Sequence, residues 1–157
     1  MLEKLSSING TNILVATTTN MKDDAVVNIA KKYNIAYFRG SENDVLNRFI
    51  SAAEQYNAQK IIRVCSDNPF LDINSIKKLI ETINENPSAD YISFNINGIP
   101  SIKTHYGFWT EYVTLNTLKK IRDLTDEPLY HEHVTNYIYS HSEQFNICLL
   151  YTSDAAD

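Results

Sequence analysis

The order of strand-like and helix-like segments constrains the fold of this chain more than any other feature. Short apolar runs typical of buried strands lie at Ile13–Thr17, Ile35–Phe38, Lys60–Cys65 and Tyr91–Asn95. Capped, amphipathic segments that predict helices lie between them, at Asn20–Tyr33, Ser41–Tyr56 and Asp72–Asn86. This alternation predicts an α/β fold with a mainly parallel sheet, right-handed crossovers and helices on both faces.

After Asn95 the alternation is less regular. His105–Val113 alternates like a strand, and we expect helices over Leu115–Leu124 and Tyr130–His141. In the three earlier helices an apolar stripe is expected to face the sheet. The stripes are Ala25, Ile29 and Ala30; Val45, Leu46, Phe49, Ile50 and Ala53; and Ile76, Leu79, Ile80 and Ile83.

Composition indicates one ordinary globular domain. The chain has 157 residues, 43% of them hydrophobic, and a net charge of −5. Because it has no basic cluster, sequence-independent binding to nucleic acid is not expected. No apolar run approaches the roughly 20 residues of a membrane helix, and no signal peptide opens the chain. Cys65, in a predicted buried strand, and Cys148 suggest no disulfide framework, so we expect a cytoplasmic protein without a membrane partner.

The two ends of the chain are unusual. Leu2, Leu5 and Ile8 have near-helical spacing before Asn9-Gly10, and they resemble the last turns of something longer. We therefore expect an absent N-terminal part, with a genuine short helix as the alternative. Residues 148–157 resemble the translation of a sequencing-library adaptor, so we expect a natural domain over residues 1–147 followed by a tail.

An apolar run from Ile61 stops abruptly at Asp67-Asn68-Pro69, before the next helix. In open α/β sheets, ligands bind just beyond the carboxyl ends of the strands. A carboxylate there is well placed to hold a metal ion beside phosphates. The alternative is that Asp67 and Asn68 only form the turn before the proline.

Four motifs in order resemble the cytidylyltransferase family that includes acylneuraminate and deoxyoctulosonate cytidylyltransferases, closest to its spore-coat-polysaccharide branch. They are Ala16–Asn20 with Asp23-Asp24, Phe38–Arg48, Arg63–Asp72 and Glu132–Thr135. The resemblance implies a Rossmann-like nucleotide-diphospho-sugar transferase fold. It also implies transfer of CMP from CTP to an acidic or amino sugar for surface glycans, with release of pyrophosphate and with Mg²⁺ as cofactor.

The same resemblance implies roles for particular residues. Asp67 is expected to be the catalytic residue that holds Mg²⁺, and Asn68 to orient a nucleotide or sugar hydroxyl. Arg39, Gly40 and Ser41 match the segment that approaches the base and ribose, although any turn into a capped helix would use a glycine and a serine. Asp72 is expected to cap the following helix rather than to touch substrate.

One departure from the family affects the second metal ligand. Many relatives have Gly-x-Asp-x-Glu where this chain has Gly107 to Glu111, with Trp109 in place of the aspartate. We expect Glu111 to complete the metal site or to bind the sugar. Trp109 offers a flat surface for a sugar ring, with a position in the core as the alternative.

His131-Glu132-His133 does not predict a metal site, because histidines two residues apart on one helix point in different directions. Its match to the family motif favours a structural or sugar-side role for Glu132 and His133. His105 and His141 are expected at the surface.

Relatives open with a central strand and a glycine- and arginine-rich loop that cradles the triphosphate. The four glycines here, Gly10, Gly40, Gly98 and Gly107, form no such loop. We therefore expect that the first strand is missing and that this chain alone lacks turnover. One alternative is a non-catalytic nucleotide- or sugar-binding relative. Another is a hydrolase or phosphatase with Asp67 as nucleophile, which the lack of a second aspartate two residues later disfavours. A homodimer is left open.

Overall fold

A computed structural model describes residues 1–66, 71–96, 99–101 and 110–151. It contains seven strands and seven helices within those residues. The strands are β1 (Leu14–Thr18), β2 (Ala36–Gly40), β3 (Lys60–Arg63), β4 (Tyr91–Ile96), β5 (Ile99–Pro100), β6 (Glu111–Thr114) and β7 (Ile147–Tyr151). The helices are α1 (Leu2–Ser6), α2 (Asp24–Lys32), α3 (Val45–Gln55), α4 (Ile73–Glu85), α5 (Leu115–Leu124), α6 (Pro128–Glu132) and α7 (Asn136–Ser140).

The strands form a mainly parallel arrangement with antiparallel additions, which confirms the predicted α/β fold. β1 and β2 are parallel over five residues. β6 lies between β3 and β4 and is antiparallel to both, so β3 and β4 run in the same direction. β7 is parallel to β4. Because Asn95 pairs with both Pro100 and Tyr151, β5 and β7 lie on opposite edges of β4.

The two sheets are not joined by a hydrogen-bonded ladder within the described residues: β1 and β2 form one sheet, and the other five strands form the second. Helix α3 connects them, since it packs on β1 and β2 as well as on α5 and α6. The expectation that the central first strand of the family is missing from this chain stays a prediction.

Helices cover both faces of the larger sheet. Tyr91 and Val113 point into a core with α3 and α5, whereas their neighbours Ile92 and Tyr112 point into a core with α4. Adjacent residues of a strand face opposite sides of a sheet, so β4 and β6 supply both cores.

The apolar stripes of α3 and α4 pack as predicted, but that of α2 does not. Val27 and Ala30 are the buried residues of α2, whereas Ala25 is exposed and Ile29 is 50% exposed. α2 has apolar residues on two faces, and the face that includes Val27 packs against the β1–β2 sheet. Periodicity alone does not distinguish the two faces.

Two other segments differ from expectation. β3 ends at Arg63, so Cys65 is exposed beyond it rather than buried in a strand. Tyr130–His141 is not one helix but two short ones, because the chain turns at His133 and places Val134 and Thr135 in the interior.

The segment set aside as a tail contributes to the sheet. Residues 148–151 lie in β7 beside β4, and Cys148 and Leu150 pack against the core on the α4 side. The structure thus includes residues 148–151 in the sheet, and the expected division of the chain after Ile147 stays a prediction. The origin of the tail stays a prediction, and residues 152–157 lie outside the described part of the chain.

Candidate functional site

The carboxyl ends of β1 and β2 bring several predicted residues together. Thr17 pairs with Arg39, and Thr18 pairs with Gly40. The Thr19 N–H donates to the Gly40 carbonyl at 3.0 Å, which extends the pairing by one bond. This edge is where ligands bind in open α/β sheets, so two of the predicted substrate residues lie where that rule places a site.

Asp23 fixes the turn that follows β1. Its Oδ2 accepts from the Thr18 hydroxyl at 2.6 Å, the Thr17 hydroxyl at 2.8 Å and the Thr18 N–H at 3.0 Å. These donors, the Thr18 hydroxyl foremost, lower the pKa of Asp23 to about 2, because they stabilise its charged form. Asn20 caps the short 3-10 turn that holds Asp23 by accepting from the Lys22 N–H.

Arg39 uses its guanidinium within the protein. Nε donates to the Thr18 carbonyl at 2.9 Å, Nη2 to the Asn20 carbonyl at 2.8 Å, and Nη1 to the Asp24 carboxylate at 2.7 Å. The side chain is 29% exposed. In the structure, Arg39 therefore stabilises the turn that follows β1. Its contact with substrate stays a prediction.

Gly40 and Ser41 are constrained by the start of α3. A Cβ on Gly40 would lie 2.8 Å from Phe38 Cε1 and 2.9 Å from Arg48 Cγ, so close packing explains the glycine. The Ser41 hydroxyl accepts from the Asp44 N–H at 3.1 Å, and Arg48 donates to the Ser41 carbonyl. Asp44, rather than Ser41, is the N-cap of α3.

Arg48 has a further unusual feature. Its Nε is buried and has no hydrogen-bond partner among the described residues. Burial lowers the pKa of this guanidinium, although Asp23 and Glu42 oppose that effect. Arg48 lies within the motif Phe38–Arg48, yet the sequence did not mark it as a site residue.

Glu111 lies at the centre of a buried polar cluster. It is directly opposite Arg63 in the β3–β6 register, and Arg63 Nη1 donates to its Oε1. The Tyr91 hydroxyl donates to Oε2 at 2.6 Å, and the Thr135 hydroxyl lies 3.0 and 3.1 Å from the two oxygens. We call Arg63, Tyr91, Glu111 and Thr135 the Glu111 cluster.

Burial and the charge of Glu111 shift the pKa values of its partners. Burial, followed by the Glu111 charge, raises the pKa of the Tyr91 phenol well above its usual value. Burial acts to lower the pKa of the Arg63 guanidinium, but Glu111, Cys65 and Tyr91 together outweigh it and the net shift is upward. Tyr91 therefore stays protonated and Arg63 charged at neutral pH.

The described residues do not fit a magnesium site. Among them, no three His, Cys, Asp or Glu side chains lie close enough to hold a metal ion. Glu111, the predicted second ligand, faces an arginine and two hydroxyl donors rather than an acidic neighbour. Asp67, the first predicted ligand, lies outside the described residues, as do Asn68 and Trp109.

The cytidylyltransferase family model matches residues 1–155 of this chain. The chain belongs to the cytidylyltransferase family. The chain is also similar to two curated relatives, and it spans about half the length of each. An uncharacterized protein of Methanocaldococcus jannaschii is 34% identical over 139 residues, covering 88% of this chain and 54% of the relative. The spore coat polysaccharide biosynthesis protein SpsF of Bacillus subtilis is 31% identical over 142 residues, covering 88% and 55%.

Solved structures show the same fold. A cytidylyltransferase from Leptospira borgpetersenii superposes with a TM-score of 0.89 at 27% identity, covering all of this chain and 65% of that one. A CMP:2-keto-3-deoxy-manno-octonic acid synthetase complexed with CTP superposes with a TM-score of 0.68 at 10% identity. This match covers 97% of this chain and 77% of the synthetase. The predicted nucleotidyltransferase-like fold is thereby confirmed.

The motif Glu132–Thr135 of this cytidylyltransferase chain is divided between the surface and the interior. Glu132 and His133 are exposed at the end of α6. The next two residues of that motif face inward: Val134 is in the core, and Thr135 belongs to the Glu111 cluster. Asp72 caps α4 as predicted, since it accepts from the Asn74 and Ser75 N–H groups.

Sequence reasoning missed Arg63, Tyr91 and Thr135 as partners of Glu111. Each motif residue was assigned a role by its position along the chain, whereas the hydrogen bond between Arg63 and Glu111 joins residues 48 positions apart. The available signal was the arginine at the end of an otherwise apolar strand, since a charged residue in such a run needs a counter-ion.

None of the helices in the described part of the chain combines the length and apolarity that a bilayer crossing requires.

Proposed function

We propose that this chain belongs to an enzyme that transfers CMP from CTP to an acidic or amino sugar for surface-glycan biosynthesis. The observation that carries the proposal is the family-model match over residues 1–155. The polysaccharide role in the name of the Bacillus subtilis relative supports the glycan part. Because the chain spans about half of its curated relatives, the activity of the whole enzyme is part of the proposal.

The reaction is balanced without a further co-reactant. A sugar oxygen attacks the α-phosphate of CTP, its proton passes to solvent or a base, and the bond to pyrophosphate breaks. Such a transfer depends mainly on orientation and on stabilisation of developing charge. The β1–β2 edge, with Thr17, Thr18, Arg39 and Gly40 held by internal hydrogen bonds, supports nucleotide binding at that edge.

Several finer points are also proposals. Mg²⁺ as cofactor at Asp67 and a sugar as second substrate follow from the family resemblance. A cytoplasmic location is proposed on the compositional grounds given above. We further propose that the 157-residue chain alone has no turnover, because its four glycines form no phosphate-cradling loop. A homodimer remains open for experiment.

A second candidate is a non-catalytic nucleotide- or sugar-binding relative of the same fold. Trp109 in place of the family aspartate favours this candidate. The hydrogen bonds from Tyr91 and Thr135 to the Glu111 carboxylate also favour it. This candidate predicts binding without pyrophosphate release in the full-length protein as well.

Calorimetric titration of the chain with CTP, UTP and ATP in the presence of Mg²⁺ tests the site. We expect selective binding of CTP, weakened at least about tenfold by Asp67→Asn, which corresponds to 1.4 kcal/mol. Asp72→Asn is the matched control, because it makes the same chemical change at a helix cap. Equal affinity for the three nucleotides would contradict the proposed specificity.

Pyrophosphate release with CTP and a panel of acidic and amino sugars then separates the two candidates. Turnover by a full-length protein that contains this sequence supports the enzyme. Sugar and CTP binding by that protein without turnover, beside an active control cytidylyltransferase, supports the binding module.

A further inference from the structure

The Glu111 cluster joins four elements that are far apart in the sequence. Arg63 comes from β3, Tyr91 from β4 and Glu111 from β6, while Thr135 precedes α7. The side chains of Arg63 and Glu111 are only 17% and 5% exposed. A buried ionic contact of this kind is costly to leave half-made, so the four elements are held in one arrangement.

The hydrogen bonds occupy both oxygens of Glu111. Oε1 accepts from Arg63 and Oε2 from Tyr91, and the Thr135 hydroxyl lies within reach of both. A carboxylate has about four acceptor positions, and a cation requires some of them to be free. The three donors leave about one position, and a metal ion there would have to approach the Arg63 charge.

The position of the pair along the chain gives it significance beyond stability. Arg63 ends β3 and Glu111 begins β6. In the sequence, Asp67 follows Arg63 by four residues and Trp109 precedes Glu111 by two. The predicted metal-binding and sugar-packing residues are thus close in the sequence to the two members of one ion pair.

We infer that Glu111 is a positioning residue, with Arg63 as its counter-ion, and not a metal ligand. Together they fix the two strand ends from which the predicted substrate-binding segments extend. This inference rests on the proposed function for the role of those segments. The role of the pair itself is tested separately from nucleotide binding.

The first test is a double-mutant cycle of Glu111→Gln and Arg63→Met, measured by urea unfolding of the chain. Glutamine retains one acceptor oxygen, which can serve Tyr91 and Thr135 as Oε2 does, and methionine fills the arginine volume. We expect each single change to lower the urea midpoint, and the double change to lower it by less than the sum of the two. Additive effects would overturn the inference.

Glu54→Gln is the matched control, because it makes the same chemical change in an exposed ion pair with Lys119. It should leave the midpoint nearly unchanged. If Glu111→Gln does not fold, Tyr91→Phe removes one donor to Oε2 and keeps the ion pair. That variant should fold with a lower midpoint than the parent chain, and an unchanged midpoint would count against the cluster.

The second test reads the neighbouring segment directly. Trp109 is the single tryptophan of the chain, so its emission reports on the residues just before Glu111. Under native conditions, we expect Glu111→Gln and Arg63→Met to shift the emission maximum and alter acrylamide quenching, while Glu54→Gln does neither. Unchanged emission in folded Glu111→Gln would overturn the positioning role.

Magnesium dependence distinguishes positioning from metal binding. Glu111→Gln and Arg63→Met should change the Mg²⁺ concentration that gives half-maximal thermal stabilisation in the presence of CTP by similar factors, because each variant breaks the same pair. A rise of about tenfold or more in Glu111→Gln that Arg63→Met does not share would overturn the inference. If the parent chain does not bind CTP, the proposed function fails, and the unfolding cycle and tryptophan emission still decide the role of Glu111.

Discussion

His131 Nδ1 lies 2.9 Å from Asp44 Oδ1 and thereby joins α6 to the start of α3. On the other side of the ring, Nε2 lies 3.0 Å from the Thr125 carbonyl oxygen. Both neighbours are acceptors, and a histidine ring donates from both nitrogens only when it is protonated. The contact therefore favours the imidazolium form.

Stability is expected to depend on pH through this contact. Burial acts to lower the pKa of His131, but the hydrogen bonds to Asp44 and Thr125 and the charges of Asp44 and Asp126 together outweigh it, and the net pKa is raised. The stabilising contribution is therefore complete below the unfolded value of about 6.5 and is lost as pH rises through the higher folded value. His131→Gln should remove about 1 kcal/mol at pH 6 and less at pH 8, as measured by urea unfolding.

His133→Gln serves as the control for this prediction, because His133 is exposed two residues away. It should leave the difference between pH 6 and pH 8 unchanged. An equal loss at both pH values for His131→Gln would contradict the role of protonation.

We expect Asp23 to make the unfolding free energy depend on pH in acid, separately from His131. Its pKa is about 2 because the Thr18 and Thr17 hydroxyls and the Thr18 N–H donate to it. Its stabilising contribution to the unfolding free energy is complete above the ordinary pKa of about 3.8 and is lost as pH falls through the folded value of about 2. In a carbon-detected NMR titration, Thr18→Val should raise the pKa of Asp23 toward the ordinary value, while Thr11→Val, at a residue with no bond to Asp23, should not. An unchanged pKa in Thr18→Val would disprove the assigned cause.

Gly40 and Gly10 should respond differently to the same substitutions. Alanine at Gly40 brings a Cβ too close to Phe38 and Arg48, whereas Gly10 has open space but a φ of +77°. We expect each alanine variant to lose about 1 kcal/mol of unfolding free energy. Asparagine tolerates positive φ, so it should cost less than alanine at Gly10 and more than alanine at Gly40. The same order of asparagine and alanine at both sites would refute this explanation.

Strand β7 is expected to contribute measurably to stability. A chain that ends after Ile147 loses the residues that pair with Ile92, Ser93, Phe94 and Asn95 of β4, and the packing of Cys148 and Leu150. Relative to a chain that ends after Tyr151, its unfolding free energy should fall by about 2 kcal/mol or more. Equal stability of the two chains would mean that β7 is dispensable.

Local patterns predicted the elements whose signals are strong along the sequence. The bounds of α5 were correct at both ends, and Asp72 was correctly assigned as a cap, because caps and apolar spacing are local features. The buried face of α2 was not predicted correctly, because its two apolar faces have similar periodicity. The antiparallel β6 between β3 and β4 also depends on pairing between distant segments, which local spacing does not encode.

The candidate site shows the same difference between features that local sequence predicts and features that depend on distant contacts. The meeting of Thr17 and Thr18 with Arg39 and Gly40 followed from the parallel strand order. The internal bonds of Arg39 and the partners of Glu111 did not, because they depend on side-chain directions across strands and on the turn after His133. Asp67, on which the catalytic prediction depends, lies outside the described residues and stays a prediction.

The division of the strands into two sheets has a consequence for motion. Since α3 is the helix that packs on the β1–β2 pair and also on α5 and α6, amide protons of that pair can exchange with solvent through a partial opening that leaves β4 and β6 intact. The protein would then behave as two cooperative units of unequal protection. Changes at the α3 interface would set how often the smaller unit detaches.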